Sequence, residues 1–220
     1  MSPLSDLPDL IRQVTRPGLF WGTARIGEEG RLFPEEAAHV ARAVPARRAE
    51  FLAGRIAARR ALAQLGYKTP PLPAGPDRAP LWPAGVSGSI SHSAGAAIAV
   101  VGDSTRHPLL GVDIEPAEPL PVALIAEICR PEEIADRPAG DRPMLARRLF
   151  SAKEALYKAQ YPRSRTVFGF HGLTVDLHSG EARFPPHPET AGFAPDSQQA
   201  LRLAQTAGPR LILSLGLAPD

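Results

Sequence analysis

The chain has 220 residues, 44 % of them hydrophobic and 22 % charged, which is enough to bury a core as one large domain or as two lobes of about 100 residues each. A formal charge of +2 slightly favours small anionic ligands or acidic proteins as partners and gives little support for nucleic acid. The single cysteine, Cys129, excludes an internal disulfide, and the lack of a bilayer-length apolar stretch or a secretory signal predicts a cytoplasmic protein that is not membrane-embedded.

The first half of the chain predicts helices followed by strands. Residues 20–26 are typical of a short strand, and residues 32–36 begin a helical stretch whose acidic side chains suit the helix dipole. A long helix is predicted over residues 45–66, with Pro45 at its start and Gly66 as its C-terminal cap. The segment SGSISHSAG, residues 87–95, predicts a serine- and glycine-rich turn that leads into the apolar strand of residues 96–102.

The second half repeats this pattern. It predicts a strand at residues 109–115, a helical patch at 122–129, a loop at 130–133, a helix at 144–161 and strands at 170–177, 200–205 and 210–217. Helices followed by antiparallel strands therefore occur in both halves. This predicts an α+β protein of two similar lobes that join near residues 103–109.

Two carboxylates stand on one side of the strand GVDIEP. Side chains two residues apart in a strand share a face, so Asp113 and Glu115 lie side by side while Val112 and Ile114 face the core. Two such charges repel each other unless a cation is close, and Mg²⁺ prefers oxygen ligands of this kind. An ordinary solvent-facing strand is the alternative interpretation of an isolated D-x-E pattern.

The stretch FSAKEALYK, residues 150–158, carries three charges on the second long helix. Glu154 and Lys158 are one turn apart on the same face, whereas Lys153 lies about 100° away. An i,i+4 ion pair that adds a few tenths of a kcal/mol to helix stability explains the pair by itself. Next to the acidic strand, Glu154 would instead complete a metal site and Lys158 would hold a phosphate.

Arginines line one face of the first long helix. Arg48, Arg55 and Arg59 fall within about 40° of one another at the rotation of an α-helix. Guanidinium groups bind phosphate in a bidentate manner, which favours a phosphate site. A solvated basic face is the alternative.

Ser91 and His92 precede the apolar strand in the turn predicted above. Hydroxyl, amide and imidazole groups in such a turn favour anion binding. A hydrolase with Ser91 as nucleophile and His92 as base is a remote alternative, because adjacent residues in an extended chain point in opposite directions and no nucleophile elbow surrounds them.

The chain contains no P-loop, no G-x-G-x-x-G and no H-E-x-x-H pattern. What remains is a magnesium site flanked by cations, which suits a substrate with several phosphates. In their order, residues 47–62, 82–95, 111–115 and 150–159 resemble the 4′-phosphopantetheinyl transferases of the larger single-chain type. Phe150 stands where that family often has tryptophan, and Arg78 lies where many relatives have lysine.

This resemblance implies a fold and an activity. The family is a pseudo-dimer of two similar α+β lobes, here residues 1–105 with the arginines and 106–220 with the acidic strand, and its active site lies in the cleft between them. It transfers the phosphopantetheine arm of coenzyme A to a serine of an apo carrier protein and releases adenosine 3′,5′-bisphosphate. The resemblance also implies a monomer with a transient carrier partner.

The resemblance assigns roles to particular residues. Asp113, Glu115 and Glu154 would hold Mg²⁺, Glu154 would be the base for the carrier serine, and Lys158 would neutralise the pyrophosphate. The remaining coenzyme A contacts would come from Arg48, Arg55 and His92 at the 3′-phosphate, from Ser91 and Arg78 near the nucleotide, and from Asp113 and Lys153. A coenzyme A-binding module without catalytic activity is the second interpretation of the same residues.

Overall fold

The computed structural model describes residues 3–190 and 201–219. They form two antiparallel sheets, each packed against a long helix, and the predicted α+β class is confirmed. The helices are α1 Leu7–Val14, α2 Pro34–Ala37, α3 Pro45–Gln64, α4 Ile125–Ile128, α5 Pro131–Ile134 and α6 Arg142–Ser164. The strands are β1 Leu19–Arg25, β2 Val86–Ser93, β3 Ala96–Asp103, β4 Leu110–Pro116, β5 Thr174–Val175, β6 Glu181–Arg183, β7 Leu201–Ala207 and β8 Leu211–Leu217.

The two sheets meet edge to edge. Their strand orders are β1-β3-β2 and β4-β8-β7-β6-β5, and the edge strands β2 and β4 face each other. Serine side chains of β2 take over the hydrogen bonds that a neighbouring strand would supply to β4. Ser89 Oγ accepts from the Val112 amide at 3.0 Å, and Ser91 Oγ accepts from the Ile114 amide at 3.3 Å.

Glycines let each long helix lie directly on its sheet. A side chain at Gly22 of β1 would bring its first carbon within 2.0 Å of the Ala57 carbonyl oxygen on α3. The equivalent contact for Gly111 of β4 is 1.9 Å from the Ala155 carbonyl oxygen on α6. Because β4 and α6 touch backbone to backbone, the charged side chains of these two elements are brought within reach of each other.

One apolar core takes side chains from both sheets and links the two halves of the chain. Its buried side chains come from α1, from β3 and from β4 and β8. Helix α1 packs on β7 and β8, and Asp6 accepts a hydrogen bond from the Arg210 amide at 3.1 Å. The predicted division at residues 105 and 106 falls in the connection between β3 and β4 and stays a prediction.

Some predicted elements differ from the structure. Residues 86–93 form strand β2 rather than a turn, because their serines face β4 and the actual turn is at Ala94 and Gly95, both with positive φ. Residues 131–134 form a helical turn rather than a loop, with the Arg130 amide donating to Glu133 at 2.9 Å. The strand predicted at 170–177 is reduced to two residues, and position 200 of another predicted strand lies outside the described residues.

The remaining general predictions concern the membrane and the cysteine. In the part of the chain that the structure describes, none of the helices combines the length and the apolar character that a membrane span requires. Cys129 is a buried free thiol whose pKa is raised to about 11 by burial. Cys129 is therefore part of the apolar core.

Candidate active site

Asp113 lies on β4 where this strand faces β2, and it is only 4 % exposed. Its Oδ1 atom accepts hydrogen bonds from Ser91 Oγ at 2.9 Å and from Lys158 Nζ at 2.7 Å. Its Oδ2 atom is buried and has no hydrogen-bond partner among the described residues. A buried carboxylate oxygen without a partner is costly, so the site calls for a cation at this oxygen.

Glu115 follows on the same face of β4, as the alternation of the strand predicts. Its Oε2 atom accepts a hydrogen bond from Arg147 Nη1 of α6 at 2.6 Å. Burial raises the pKa of Glu115 to about 7, with a further rise from the charge of Asp113 that Arg147 only partly offsets. The negative charge of this carboxylate is therefore incompletely compensated by the protein.

Glu154 reaches the same place from α6. Lys158 Nζ lies 3.9 Å from its Oε2 atom, which is the predicted i,i+4 relation. Burial raises the pKa of Glu154; Lys158 opposes this rise and Asp113 adds to it. Lys158 thus stands between two carboxylates, one on each element.

These residues fit a divalent cation that also binds a substrate. Carboxylate oxygens are the ligands that Mg²⁺ prefers, and the unpartnered Oδ2 of Asp113 and the raised pKa values of Glu115 and Glu154 indicate uncompensated negative charge. Within residues 3–190 and 201–219, no group of three or more His, Cys, Asp or Glu side chains forms a complete metal-binding site from protein ligands alone. Mg²⁺ commonly takes only one or two carboxylates and completes its shell with water and phosphate.

Arg55 provides a buried cationic group on α3. It is 4 % exposed, its guanidinium carbon lies 4.0 Å from the centroid of the Phe51 ring, and its Nε atom has no partner in the described part of the chain. Burial lowers its pKa to about 10, Glu36 opposes this effect, and Arg59 and Arg47 add to it. A buried guanidinium with an unpartnered donor fits an anion.

The structure brings Arg47, which the sequence analysis missed, to His92. Arg47 Nη1 donates to His92 Nε2 at 2.9 Å. Arg48 points elsewhere: its Nε donates to the Ala43 carbonyl at 3.0 Å, and its Nη2 donates to the Ala41 carbonyl. Neighbouring residues on a helix project about 100° apart, and the sequence contains no signal that selects one of two adjacent arginines.

Arg59, Ser91 and His92 also have partners within the protein. Arg59 forms an ion pair with buried Glu36 of α2, which also accepts from the Leu72 amide at 2.8 Å, so Arg59 already has an anionic partner. Ser91 Oγ is bound to Asp113 and His92 is bound to Arg47, so the two side chains lack the contact that a nucleophile and its base need. Burial lowers the pKa of His92, which favours a neutral ring at pH 7.

The hydrogen bonds of Lys153 lead away from Asp113, Glu115 and Glu154. It is 2 % exposed, and its Nζ donates to Glu133 Oε2 at 2.6 Å, to the Ile128 carbonyl at 2.9 Å and to the Phe170 carbonyl at 3.1 Å. Burial lowers its pKa and Glu133 opposes that shift. The geometry is that of a buried ion pair between α5 and α6, and the predicted contact with coenzyme A stays untested.

Three cavities adjoin charged residues of the candidate site. A cleft of about 570 Å³ is lined by Arg78, Trp82 and Ser89 from the first half of the chain and by Tyr157 and Lys158 of α6. A second cavity of about 620 Å³, with Arg47 and Phe51 in its wall, shares Arg78 with the first. A third recess of about 190 Å³ adjoins both Lys153 and Glu154, and the rest of its wall is mainly apolar, with Tyr157, Phe168, Phe170 and Leu173.

Two family models match this chain in sequence order. The 4′-phosphopantetheinyl transferase N-terminal domain matches residues 35–102, and the 4′-phosphopantetheinyl transferase superfamily matches residues 109–206. Together they cover both long helices, the facing strands β2 and β4, and every charged residue described above for the candidate site, whereas β1 and β8 lie outside the matched ranges. The chain belongs to the 4′-phosphopantetheinyl transferase superfamily.

Individual relatives support this membership. The chain is 43 % identical over 164 residues to the 4′-phosphopantetheinyl transferase Svp of Streptomyces mobaraensis, an alignment that covers 72 % of this chain and 63 % of Svp. It is 44 % identical over 151 residues to PptT of Mycobacterium tuberculosis, covering 66 % of this chain and 65 % of PptT. With Npt of Nocardia iowensis the identity is 35 % over 158 residues, covering 70 % of this chain and 71 % of Npt. The chain therefore spans slightly less than two thirds of the length of Svp and PptT.

Proposed function

We propose that the protein is an enzyme that transfers the 4′-phosphopantetheine arm of coenzyme A to a serine of an apo carrier protein and releases adenosine 3′,5′-bisphosphate. The observation that carries this proposal is the buried, unpartnered Oδ2 of Asp113 beside Lys158 and Glu154, where β4 faces β2. Family membership supports it. The carrier would bind transiently to a cytoplasmic monomer, because one chain supplies both walls of the cleft.

The cavities suit the three parts of coenzyme A. The 3′-phosphate would lie near Arg47, Arg55 and His92, where a guanidinium donor is buried without a partner. Arg78, shared by two cavities, would lie near the nucleotide. The uncharged arm fits the apolar recess beside Glu154, so that the pyrophosphate would lie next to Lys158.

Asp113, Glu115 and Glu154 would hold Mg²⁺, whose chemistry at this place is to neutralise the charge of the pyrophosphate. Lys158 Nζ, already 2.7 Å from Asp113, would share this neutralisation and would stabilise the leaving phosphate. Ser91 would keep Asp113 in orientation through its hydrogen bond to Oδ1.

Glu154 would act as the base. The serine oxygen of the carrier attacks the phosphorus next to the arm, the bond from that phosphorus to the bridging oxygen breaks, and the serine proton passes to the Glu154 carboxylate. The raised pKa of Glu154 makes it a better proton acceptor than an exposed glutamate. The leaving group departs as adenosine 3′,5′-bisphosphate.

Mass spectrometry of a carrier protein tests the proposal. The protein is incubated with coenzyme A, Mg²⁺ and each of a panel of apo carriers, and every carrier is weighed before and after. We expect at least one carrier to gain the mass of one phosphopantetheine, only when Mg²⁺ is present. Coenzyme A binding without any mass gain across the panel would support the non-catalytic module instead.

A pair of adjacent arginines gives a sharper prediction about the coenzyme A site. Arg47→Ala should raise the KM for coenzyme A by about 10–100-fold with little change in kcat, because a charge-assisted hydrogen bond contributes roughly 1.5–3 kcal/mol. Arg48→Ala removes the same charge one residue away and should have a much smaller effect, since Arg48 is bound to backbone carbonyls. Steady-state kinetics with varied coenzyme A measures both. A larger effect for Arg48→Ala would restore the original prediction for that residue.

A further inference from the structure

We propose that Arg147 is a positioning residue for the metal-binding carboxylate Glu115, an inference that rests on the function proposed for this site. Arg147 Nη1 donates to Glu115 Oε2 at 2.6 Å, and Arg147 Nε donates to the Glu118 carbonyl at 3.1 Å. The guanidinium therefore joins the carboxylate to the backbone of the segment that follows β4. Both side chains of the ion pair are 16 % exposed, so the contact is largely shielded from solvent.

Arg147 belongs to the face of α6 that carries the other site residues. It precedes Glu154 by seven residues and Lys158 by eleven, which places all three within about 40° on the helix. Lys158 contacts Asp113 while Arg147 contacts Glu115, so the helix runs antiparallel to β4. A cation of α6 thus holds each of the two strand carboxylates, and Glu154 lies between the two cations along the helix.

The hydrogen bonds divide each carboxylate into a held oxygen and an available one. Asp113 Oδ1 is held by Ser91 and Lys158, which leaves Oδ2 without a partner. Arg147 engages Oε2 of Glu115 in the same manner, and the hydrogen bonds of the described residues include none to Oε1. We infer that Arg147 turns Oε1 towards the cation position, as outer-shell partners of metal-binding carboxylates do.

The planar fork of arginine suits this task. Two of its nitrogens point to fixed acceptors at once, the Glu115 carboxylate and the Glu118 carbonyl. A lysine at this position would keep the charge but would offer a single point of attachment. The effects of charge and of orientation are therefore separable by substitution.

The sign of the effect on metal affinity distinguishes positioning from simple electrostatics. Removing a positive charge close to a cation site lowers repulsion, so electrostatics alone predicts tighter metal binding in Arg147→Gln. Loss of positioning predicts weaker binding, by roughly 10–100-fold for an outer-shell partner. A purely structural role predicts lower thermal stability without a change in affinity.

The experiment titrates Mn²⁺, as a paramagnetic substitute for Mg²⁺, into the full chain with and without coenzyme A and follows free Mn²⁺ by electron paramagnetic resonance. The variants are Arg147→Gln, Arg147→Lys and the control Arg142→Gln, which removes a charge from the first turn of α6 where Arg142 Nε donates to the Arg137 carbonyl. Thermal unfolding of each variant is recorded alongside. Transfer kinetics with varied Mg²⁺ supply the second measurement.

We expect weaker Mn²⁺ binding for Arg147→Gln, a smaller loss for Arg147→Lys and wild-type affinity for Arg142→Gln. Excess Mg²⁺ should restore most of kcat in Arg147→Gln. Equal or tighter Mn²⁺ binding in Arg147→Gln would overturn the inference, as would a wild-type chain that binds no Mn²⁺ under either condition. If Arg147→Gln does not fold, wild-type affinity in Arg147→Lys overturns it. A chain that binds Mn²⁺ as expected but modifies no carrier would contradict only the proposed function.

Discussion

Glu154→Gln should lower kcat for transfer to a carrier serine by about 10²–10⁴-fold, because the substitution removes the general base and one anionic oxygen of the proposed metal site. Glutamine keeps the length and shape of the side chain, so the helix and the apolar recess beside it should persist. The ion pair with Lys158 is lost, but at 3.9 Å it stabilises the helix by only a few tenths of a kcal/mol. Single-turnover transfer followed by mass spectrometry of the carrier measures the effect.

Two controls make the Glu154→Gln result specific. Glu127→Gln removes a carboxylate from the exposed surface of α4 and should leave kcat unchanged. Coenzyme A binding to Glu154→Gln, measured by calorimetry, should stay within a few-fold of the wild type, since Arg47 and Arg55 would hold the nucleotide end. Unchanged kcat in Glu154→Gln would remove this residue from the chemistry and would favour a different base.

Lys153→Met should destabilise the fold by about 3–5 kcal/mol, which is the usual result of removing one partner of a buried ion pair. The ammonium group has three oxygen partners, and its loss leaves the Glu133 carboxylate without its cation in the contact between α5 and α6. Urea unfolding at neutral pH, monitored by circular dichroism, gives the free energy of unfolding. Lys68→Met replaces an exposed lysine and should change that free energy by less than about 0.5 kcal/mol.

A double variant separates the ion pair from the packing of the lysine side chain. Lys153→Met combined with Glu133→Gln should lose less stability than the sum of the two single variants. Each single variant leaves the charge of its partner unpaired, whereas the double variant removes both charges. Additive losses would show that the pair is not coupled. Wild-type stability in Lys153→Met, together with a raised KM for coenzyme A, would instead support the role that family resemblance assigned to Lys153.

The local pattern of the sequence predicted most of the elements and part of the site. The long helices, the strand of Asp113 and Glu115, and the one-turn spacing of Glu154 and Lys158 follow from periodicities of 3.6 and 2 residues, which are properties of the backbone alone. The strand β2 was missed because its serines replace the apolar face that normally indicates a strand. Their hydroxyl groups bind the amides of β4, a partner that lies more than twenty residues away.

Other assignments depended on the packing of one element against another. Arg47 and Arg48 are adjacent on α3, and no sequence pattern distinguishes them. Only the position of His92 on strand β2 does so. Lys153 and Arg147 became interpretable only when α6 was placed against α5 and β4, where Glu133 and Glu115 lie.

By itself, the sequence therefore determined the α+β class, the order of the family's motifs and the two strand carboxylates that share a face. The tertiary structure decided which cation meets which anion. The physical reason is that helix and strand periodicity sets the direction of a side chain relative to its own backbone. Which residue that side chain contacts is set by the long-range packing of the elements. Here this packing depends on glycines such as Gly111, which let α6 lie against β4.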